Sequence, residues 1–300
     1  DLNGDGDARD RVVFVLELDP PRLSATGLAL GDDDDARTLW SCNGEAAAFA
    51  VSERAQGGLD RNGDGDAEDH VLVVLAGTSV EPHPLAVRAL VAGGALVACA
   101  VDEAAQGASD LDFDGDADGT ALRIFDRRDG AEIALGLRDA VPLAIAAGHV
   151  ALRLAERDGI DQNGDGDDLD GTVFEVFDGE TRLLHNTTLV LAGDAVASAA
   201  GTFGVSVSEA GMGLGDLSGD GDADDAVFYV YAPARGFSVN LRLAVPLYPP
   251  PAVDGERYLL FARESARARD ANADGDRDDW TVQVFEAGPG LLYDTALASP

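Results

Sequence analysis

Residues 60–69 read DRNGDGDAED, and five other stretches obey the same rule. They are DLNGDGDARD at 1–10, DLDFDGDADG at 110–119, DQNGDGDDLD at 161–170, DLSGDGDADD at 216–225 and DANADGDRDD at 270–279. The copies begin 50 to 59 residues apart along a chain of 300. A repeat of this length announces an array of supersecondary units and has to be settled before any other feature is read.

The chemistry of one copy follows from its spacing. Oxygen-bearing side chains at the first, third and fifth positions, with Gly at the sixth, match the first half of an EF-hand calcium loop. There, alternating side chains converge on one point and Gly permits the sharp turn. The seventh residue of such a loop ligates through its carbonyl, which leaves the Asp66 carboxylate free for a second task. The twelfth position should be a bidentate Glu, but here it is Val12, Val71, Ala121, Thr172, Val227 or Thr281. The closing carboxylate is therefore expected at the tenth position, or at Asp118 in the third copy, where the tenth residue is Gly119. The expected ligands are Asp1, Asn3, Asp5, Asp7 and Asp10; Asp60, Asn62, Asp64, Asp66 and Asp69; and Asp110, Asp112, Asp114, Asp116 and Asp118. The second half of the chain adds Asp161, Asn163, Asp165, Asp167 and Asp170; Asp216, Ser218, Asp220, Asp222 and Asp225; and Asp270, Asn272, Asp274, Asp276 and Asp279. A Glu also recurs upstream of five copies (Glu53, Glu103, Glu156, Glu209, Glu264), either as a ligand or as the end of a strand. Hard oxygen donors without His or Cys at ligand spacing exclude zinc and copper, and a flexible cage suits Ca²⁺ better than Mg²⁺. The competing reading is a set of acidic surface turns without metal. Six recurrences with the sixth Gly fixed favour calcium, about six ions in all.

Composition narrows the function classes. The formal net charge is −35, with no Lys in the chain, which disfavours nucleic acid and anionic membranes as partners and excludes lysine-based catalysis. A hydrophobic share of 46% is enough for a core. No run of about 20 apolar residues is present, so no helical membrane insertion is expected. Cys42 and Cys99 are the only cysteines; they can pair, or lie as buried free thiols in apolar stretches.

Between the loops the pattern is strand after strand, with no helical period. A β-branched and aromatic run follows each loop: 11–19, 71–77, 121–126, 172–178, 226–232 and 281–287. A turn and a second variable strand come next. A shorter strand then ends in a tight turn at Asn43-Gly44, Gly93-Gly94, Ala147-Gly148, Ala200-Gly201 or Asp254-Gly255. A last strand leads into the next loop. Four antiparallel strands per 50-odd residues are the signature of a β-propeller blade. The order of inner strand, Gly turn, second strand (GGALVACAVDE, 93–103), loop, third strand (ALRIFD, 121–126) and outer strand is similar to that of TolB-like and related six-bladed propellers. The loop itself resembles those of dockerins, thrombospondin type 3 repeats and integrin α-subunit propellers. Those resemblances imply calcium-dependent rigidity in an extracellular or cell-surface protein, with the ions on one face near the rim. The expected fold is all-β: a single six-bladed β-propeller over 1–300, of four-stranded antiparallel blades, with a calcium loop between the second and third strands of each. Half of blade 1 occupies 1–30, and blades 2 to 6 occupy 31–88, 89–138, 139–190, 191–244 and 245–300. A β-solenoid has far shorter rungs, and an open array of modules needs more linker.

Because residue 1 lies inside a loop, two strands of blade 1 are expected from outside the sequence: upstream, in a longer tandem chain, or from a neighbouring subunit. No nucleophile elbow, zinc-protease or phosphate-loop motif occurs. The four His (70, 83, 149, 185) hold different places in their repeats. The inner strands are mostly Ala, Val and Leu, a poor lining for chemistry, and Trp40 and Trp280 read as packing residues before sugar platforms. The expectation is a structural or assembly protein and not an enzyme, with itself (head to tail), surface proteins or glycans as partners. The alternatives are an adhesion or ligand-binding propeller and a channel-mouth hydrolase or lyase.

Overall fold

A computed structural model of the chain describes residues 1–31, 39–42, 46–77, 79–156, 161–167, 171–247, 251–265 and 270–299. The expected turn at Asn43-Gly44 and the expected ligand Asp170 lie outside these residues. The fold is all-β. Among the described residues helical structure is confined to α1 (Glu209–Met212) and single 3₁₀ turns such as Arg54–Gln56 and Pro233–Arg235. No helix among them is long and apolar enough to cross a membrane.

Two compact units divide the chain, Asp1–Pro142 and Leu143–Pro300. In the first, β1 (Val12–Leu18) and β2 (Pro21–Ala29) form a two-stranded sheet. It is followed by β3 (Trp40–Cys42), β4 (Ala46–Ser52), β5 (His70–Ala76), β6 (Ser79–Gly93), β7 (Leu96–Asp102), β8 (Thr120–Asp126) and β9 (Ala131–Arg138) in that spatial order. β10 (Val141–Ala146) straddles the division. The second unit continues with β11 (His149–Glu156), β12 (Gly171–Asp178), β13 (Leu184–Ala199), β14 (Thr202–Ser208), β15 (Ala226–Ala232) and β16 (Phe237–Ala244). A four-stranded sheet closes it: β17 (Ala252–Asp254), β18 (Arg257–Arg263), β19 (Trp280–Glu286) and β20 (Leu291–Ser299). Every pairing for which a register is given is antiparallel between sequence neighbours.

The long strands β6 and β13 each serve two meanders. Residues 79–86 of β6 pair with β5 and residues 87–93 with β7. β13 divides in the same way, at Val190 and Leu191. The expected boundaries at 88/89 and 190/191 therefore fall inside continuous strands, because no turn residue stands there to break the extended backbone.

Alternation along each strand sorts the faces. In β5, Leu72 and Val74 pack with Val97, Cys99, Val101 and Phe125 of the following meander, while Val73 and Leu75 turn back onto Val13, Val15, Leu28 and Val51. In the second unit Phe174 and Val176 meet Phe203, Val205, Tyr229 and Tyr231, and Phe228 and Val230 meet Tyr258, Leu260 and Phe285. The aromatics meet edge to face, with ring centres 5.9 Å apart for Phe174–Tyr231 and 5.7 Å for Phe228–Tyr258. Burying one such side chain is worth about 1.5–3 kcal/mol. Gly204 is needed for this contact, since a Cβ there would come within 2.7 Å of the Tyr258 ring.

One irregularity recurs. The register between the strand after each loop and its outer neighbour shifts in every repeat: after the twelfth residue from the loop start at Val12, Val71, Ala121, Val227 and Thr281, and two residues later, after Phe174, in the fourth. Positive φ marks the outer strand there at Gly27, Gly136, Thr188, Arg242 and Ala296. A side-chain oxygen two residues earlier accepts the amide of the strained residue in three of them, Asn186 to Thr188 (2.8 Å), Asn240 to Arg242 (2.6 Å) and Asp294 to Ala296 (3.0 Å). These are β-bulges, and they bend the outer strand toward the loop.

Several sequence expectations need correction. The tight turns at Ala147-Gly148 and Ala200-Gly201 take two positive φ values as anticipated. Gly93 and Asp254 instead remain in strands, and the positive φ passes to Gly94 and Gly255 one residue on. Trp40 is 57% exposed, because it lies on the three-residue edge strand β3, whereas Trp280 is partly buried beneath the Arg263 guanidinium, 5.6 Å from the ring centre. Both cysteines are free; Cys42 is exposed, while Cys99 is sealed in the core, where burial pushes its thiol up to about 12.

Candidate metal centres

The five acidic loops after the first each join two paired strands (β4 to β5, β7 to β8, β11 to β12, β14 to β15 and β18 to β19), and the loops are shaped by their own carboxylates. The first Asp of a copy accepts amides three and five residues ahead: Asp60 Oδ1 takes Gly63 (2.6 Å) and Oδ2 takes Gly65 (3.1 Å). Asp1 does the same with Gly4 and Gly6, and Asp110 with Phe113 and Gly115. The third and fifth side chains each accept the amide two residues on, as in Asp66 N to Asp64 Oδ1 (3.1 Å). The effect is to turn successive oxygens inward. All six glycines at the sixth position have φ between 100° and 111°, a region closed to other residues. The fourth position also takes positive φ, at Gly4, Gly63, Phe113, Gly164, Gly219 and Ala273, a requirement not apparent from the motif alone.

The tenth residue folds back onto the third. Asn3, Asn62 and Asn272 donate from Nδ2 to Oδ2 of Asp10, Asp69 and Asp279 at 2.8–2.9 Å. The seventh carboxylate accepts the amide two residues ahead, as Asp66 does from Glu68, which is the second task its spacing allowed. Beneath each loop lies the upstream Glu. Glu53 Oε1 accepts the amides of Arg61 and Asn62; Glu103 those of Leu111 and Asp112; Glu156 those of Gln162 and Asn163; Glu209 those of Leu217 and Ser218; Glu264 those of Ala271 and Asn272. All five are buried.

These contacts gather carboxylate oxygens within 4.8 Å of one another. The groups are Asp5, Asp7 and Asp10; Glu53, Asp66 and Asp69; Glu103, Asp110 and Asp112; Glu209, Asp222 and Asp225; and Glu264, Asp276 and Asp279. At that separation each like-charge pair costs roughly 1–4 kcal/mol between water-like and protein-like dielectric. Burial, with a smaller push from neighbouring carboxylates, raises Asp69 to about 6; Asp225 also reaches about 6, where burial leads and Asp220 adds to it. Several buried oxygens have no hydrogen-bond partner: Glu103 Oε2, Glu156 Oε2, Glu264 Oε2, Asp112 Oδ2 and Asp225 Oδ2. Crowded, inward-facing, oxygen-only donors with unpaired lone pairs fit a divalent hard cation. In the third loop Asp118 is exposed, and Asp139 stands beside Gly119 instead, accepting the Thr120 amide at 3.1 Å.

The loops also stand between sheets. On one side lies the bulged outer strand of the same repeat: Asn186 and Asn240 donate to the carbonyls of Gln162 and Leu217, each the second residue of a loop, at 2.7 and 3.0 Å. Arg138 binds Asp114 at 2.8 Å. On the other side lies a turn of the following repeat. Asn3, Asn62 and Asn163 donate to the carbonyls of Ala55 (2.6 Å), Ala105 (2.7 Å) and Gly211 (3.2 Å). These turns read ERAQG (53–57), EAAQG (103–107) and EAGMG (209–213). Their last Gly lies against the fifth loop residue, where a Cβ on Gly107 would stand 3.3 Å from that of Asp64. Gln56 binds both Ala29 N and Gly27 O of the preceding outer strand, and Gln106 both Ala86 N and Pro84 O. Sequence reading found the Glu but missed the Gln and Gly that follow it, although the recurrence of E-x-A-Q-G was there to be seen.

No family model and no curated protein matches the chain. Solved structures with a similar fold include the β-propeller domain of the Trilobed protease from Pyrococcus furiosus (TM-score 0.45, 10% identity, covering 86% of this chain and 71% of that one). A putative TolB from Agrobacterium tumefaciens gives a TM-score of 0.44 at 9% identity, over 98% of this chain and 90% of its own. The acylaminoacyl peptidase of Pyrococcus horikoshii gives 0.43 at 10% identity over 86% of this chain, which spans only 39% of the peptidase.

Proposed function

We propose that this protein is a six-bladed β-propeller whose blades are pinned together by about six Ca²⁺ ions, one per acidic loop, and that it serves a structural or assembly role outside the cell or on its surface. The observation that carries this reading is the position of the loops: each rests on its own sheet, and three of them reach across to the turn of the next. An ion held there would stiffen the seam between blades as well as the loop. Extracellular calcium modules bind with Kd values of about 10⁻⁴–10⁻³ M, which suits millimolar calcium. Self-association is supported by the β1–β2 sheet, where Phe14 (46%), Leu16 (59%) and Leu18 (78%) are exposed on one face. A ligand-binding role finds support in one cleft of about 190 Å³ lined by Glu81, His83, Phe125 and Arg127, with the imidazole 4.3 Å from the phenyl ring.

The deciding experiment compares melting in 10 mM CaCl₂ with melting in excess EDTA. An ion at one hundred times its Kd adds about 2.7 kcal/mol per site. Occupation of even two sites should therefore raise Tm by roughly 10 °C or more. Coincident melting curves would refute the proposal.

A further inference from the structure

Resting on that reading of the loops, we propose that the buried glutamate ahead of each loop (Glu53, Glu103, Glu156, Glu209 and Glu264) is itself a cation ligand. It supplies from the N-terminal side the carboxylate that an EF-hand places at its twelfth position. That position is occupied here by strand residues with no carboxylate, such as Val71 in β5 and Val227 in β15, both buried in the core.

Two features separate this from an acidic cluster alone. The first is the division of labour within one carboxyl group. Oε1 of each glutamate is engaged by two loop amides, whereas Oε2 of Glu103, Glu156 and Glu264 is buried without a partner. These side chains are at most 4% exposed and so do not face bulk solvent. The second is direction. Oxygens of Glu53, Glu103, Glu209 and Glu264 lie within 4.8 Å of two loop carboxylates each, on the concave side to which the Asx turns deliver the other donors. At Glu103, Glu156 and Glu264 the amides occupy Oε1 alone, a task that a Gln carbonyl would fill as well, whereas the second oxygen of Glu53 and Glu209 also accepts the amide of Asp69 or Asp225. A buried charge with a free oxygen beside other carboxylates serves a cation.

The test uses Glu103→Gln, together with a fivefold Glu→Gln variant at all these positions, in the full chain. Calcium alone is the titrant in calorimetry, and native mass spectrometry counts the ions. In the unaltered chain about six ions bind. Glu103→Gln should leave all but one site intact and weaken that one by at least the roughly 10–100-fold that loss of an outer-shell partner costs a metal site. The fivefold variant should weaken five. Amide exchange at Leu111 and Asp112 in EDTA supplies the readout that a purely structural role would move: it should be the same in Glu103→Gln and the unaltered chain, because the Gln carbonyl still accepts both amides. Six sites of undiminished affinity in Glu103→Gln, or loss of amide protection with EDTA present, would overturn the ligand assignment and leave calcium binding standing. Should the fivefold variant not fold, Glu103→Gln alone decides. Failure of the unaltered chain to take up calcium would overturn both.

Discussion

Neighbouring sheets meet in two unlike ways. Along the strands the seam is dry: Phe228 of one meander is fully buried against Tyr258 of the next, with β-branched side chains around them. At the loop end the seam is polar, made of an Asn amide on a carbonyl, a Gln spanning two backbone groups and a ring of carboxylates. The apolar half holds under any ionic condition. The acidic half carries a built-in repulsion among its carboxylates, so on the calcium reading its strength is conditional on the ion.

This contrast can be broken or sharpened by substitution. The largest effect is expected in the dry seam, where Phe228→Ala should cost about 3–5 kcal/mol, equally in calcium and in EDTA. Chemical denaturation under both conditions checks it, and a cost that depended on calcium would dissolve the distinction. Glu175 comes next, because it is a carboxyl group within the apolar layer, 2% exposed with one oxygen unpartnered. Burial pushes it up to about 7 from an ordinary 4.5. Its folded-state value is raised, so the protonated form favours folding; stability is full below pH 4.5 and falls as pH rises toward 7. Glu175→Gln should remove that fall, raising stability at pH 8 by on the order of 2–3 kcal/mol and leaving pH 4 nearly unchanged. Melting across that range decides it. The smallest effect is expected at the acidic loops. Asn62→Ala removes the bonds to Ala105 and Asp69 and one proposed ligand oxygen, and should cost about 1–2 kcal/mol in calcium, and less in EDTA, as measured by paired melts.

Strands and loops were legible because their signals are local. The unbroken β-branched and aromatic runs VLVVLA and FYVYA, and a Gly at a fixed place in an acidic run, need no tertiary knowledge. The bulges were not, because only Gly27 and Gly136 advertise the positive φ that Thr188, Arg242 and Ala296 also adopt. Two of those bulges are tied to the loop, through Asn186 on Gln162 and Asn240 on Leu217, which no single stretch of sequence reveals. The unbroken β6 escaped for the opposite reason: extended residues look the same whether they end one sheet or begin another. Trp40 shows a third limit, since an aromatic side chain on a short edge strand has the composition of a core residue without the neighbours.

The E-x-x-Q/M-G turns give the succession of loops a direction. The turn seated on one loop begins with the very glutamate around which the following loop is wound, as Ala55 and Glu53 show between the loops at 1–10 and 60–69. Ala105 and Glu103 repeat the link from the loop at 60–69 to that at 110–119. Each of these turns therefore serves two loops at once, as the seat of one and the anchor of its successor toward the C-terminus.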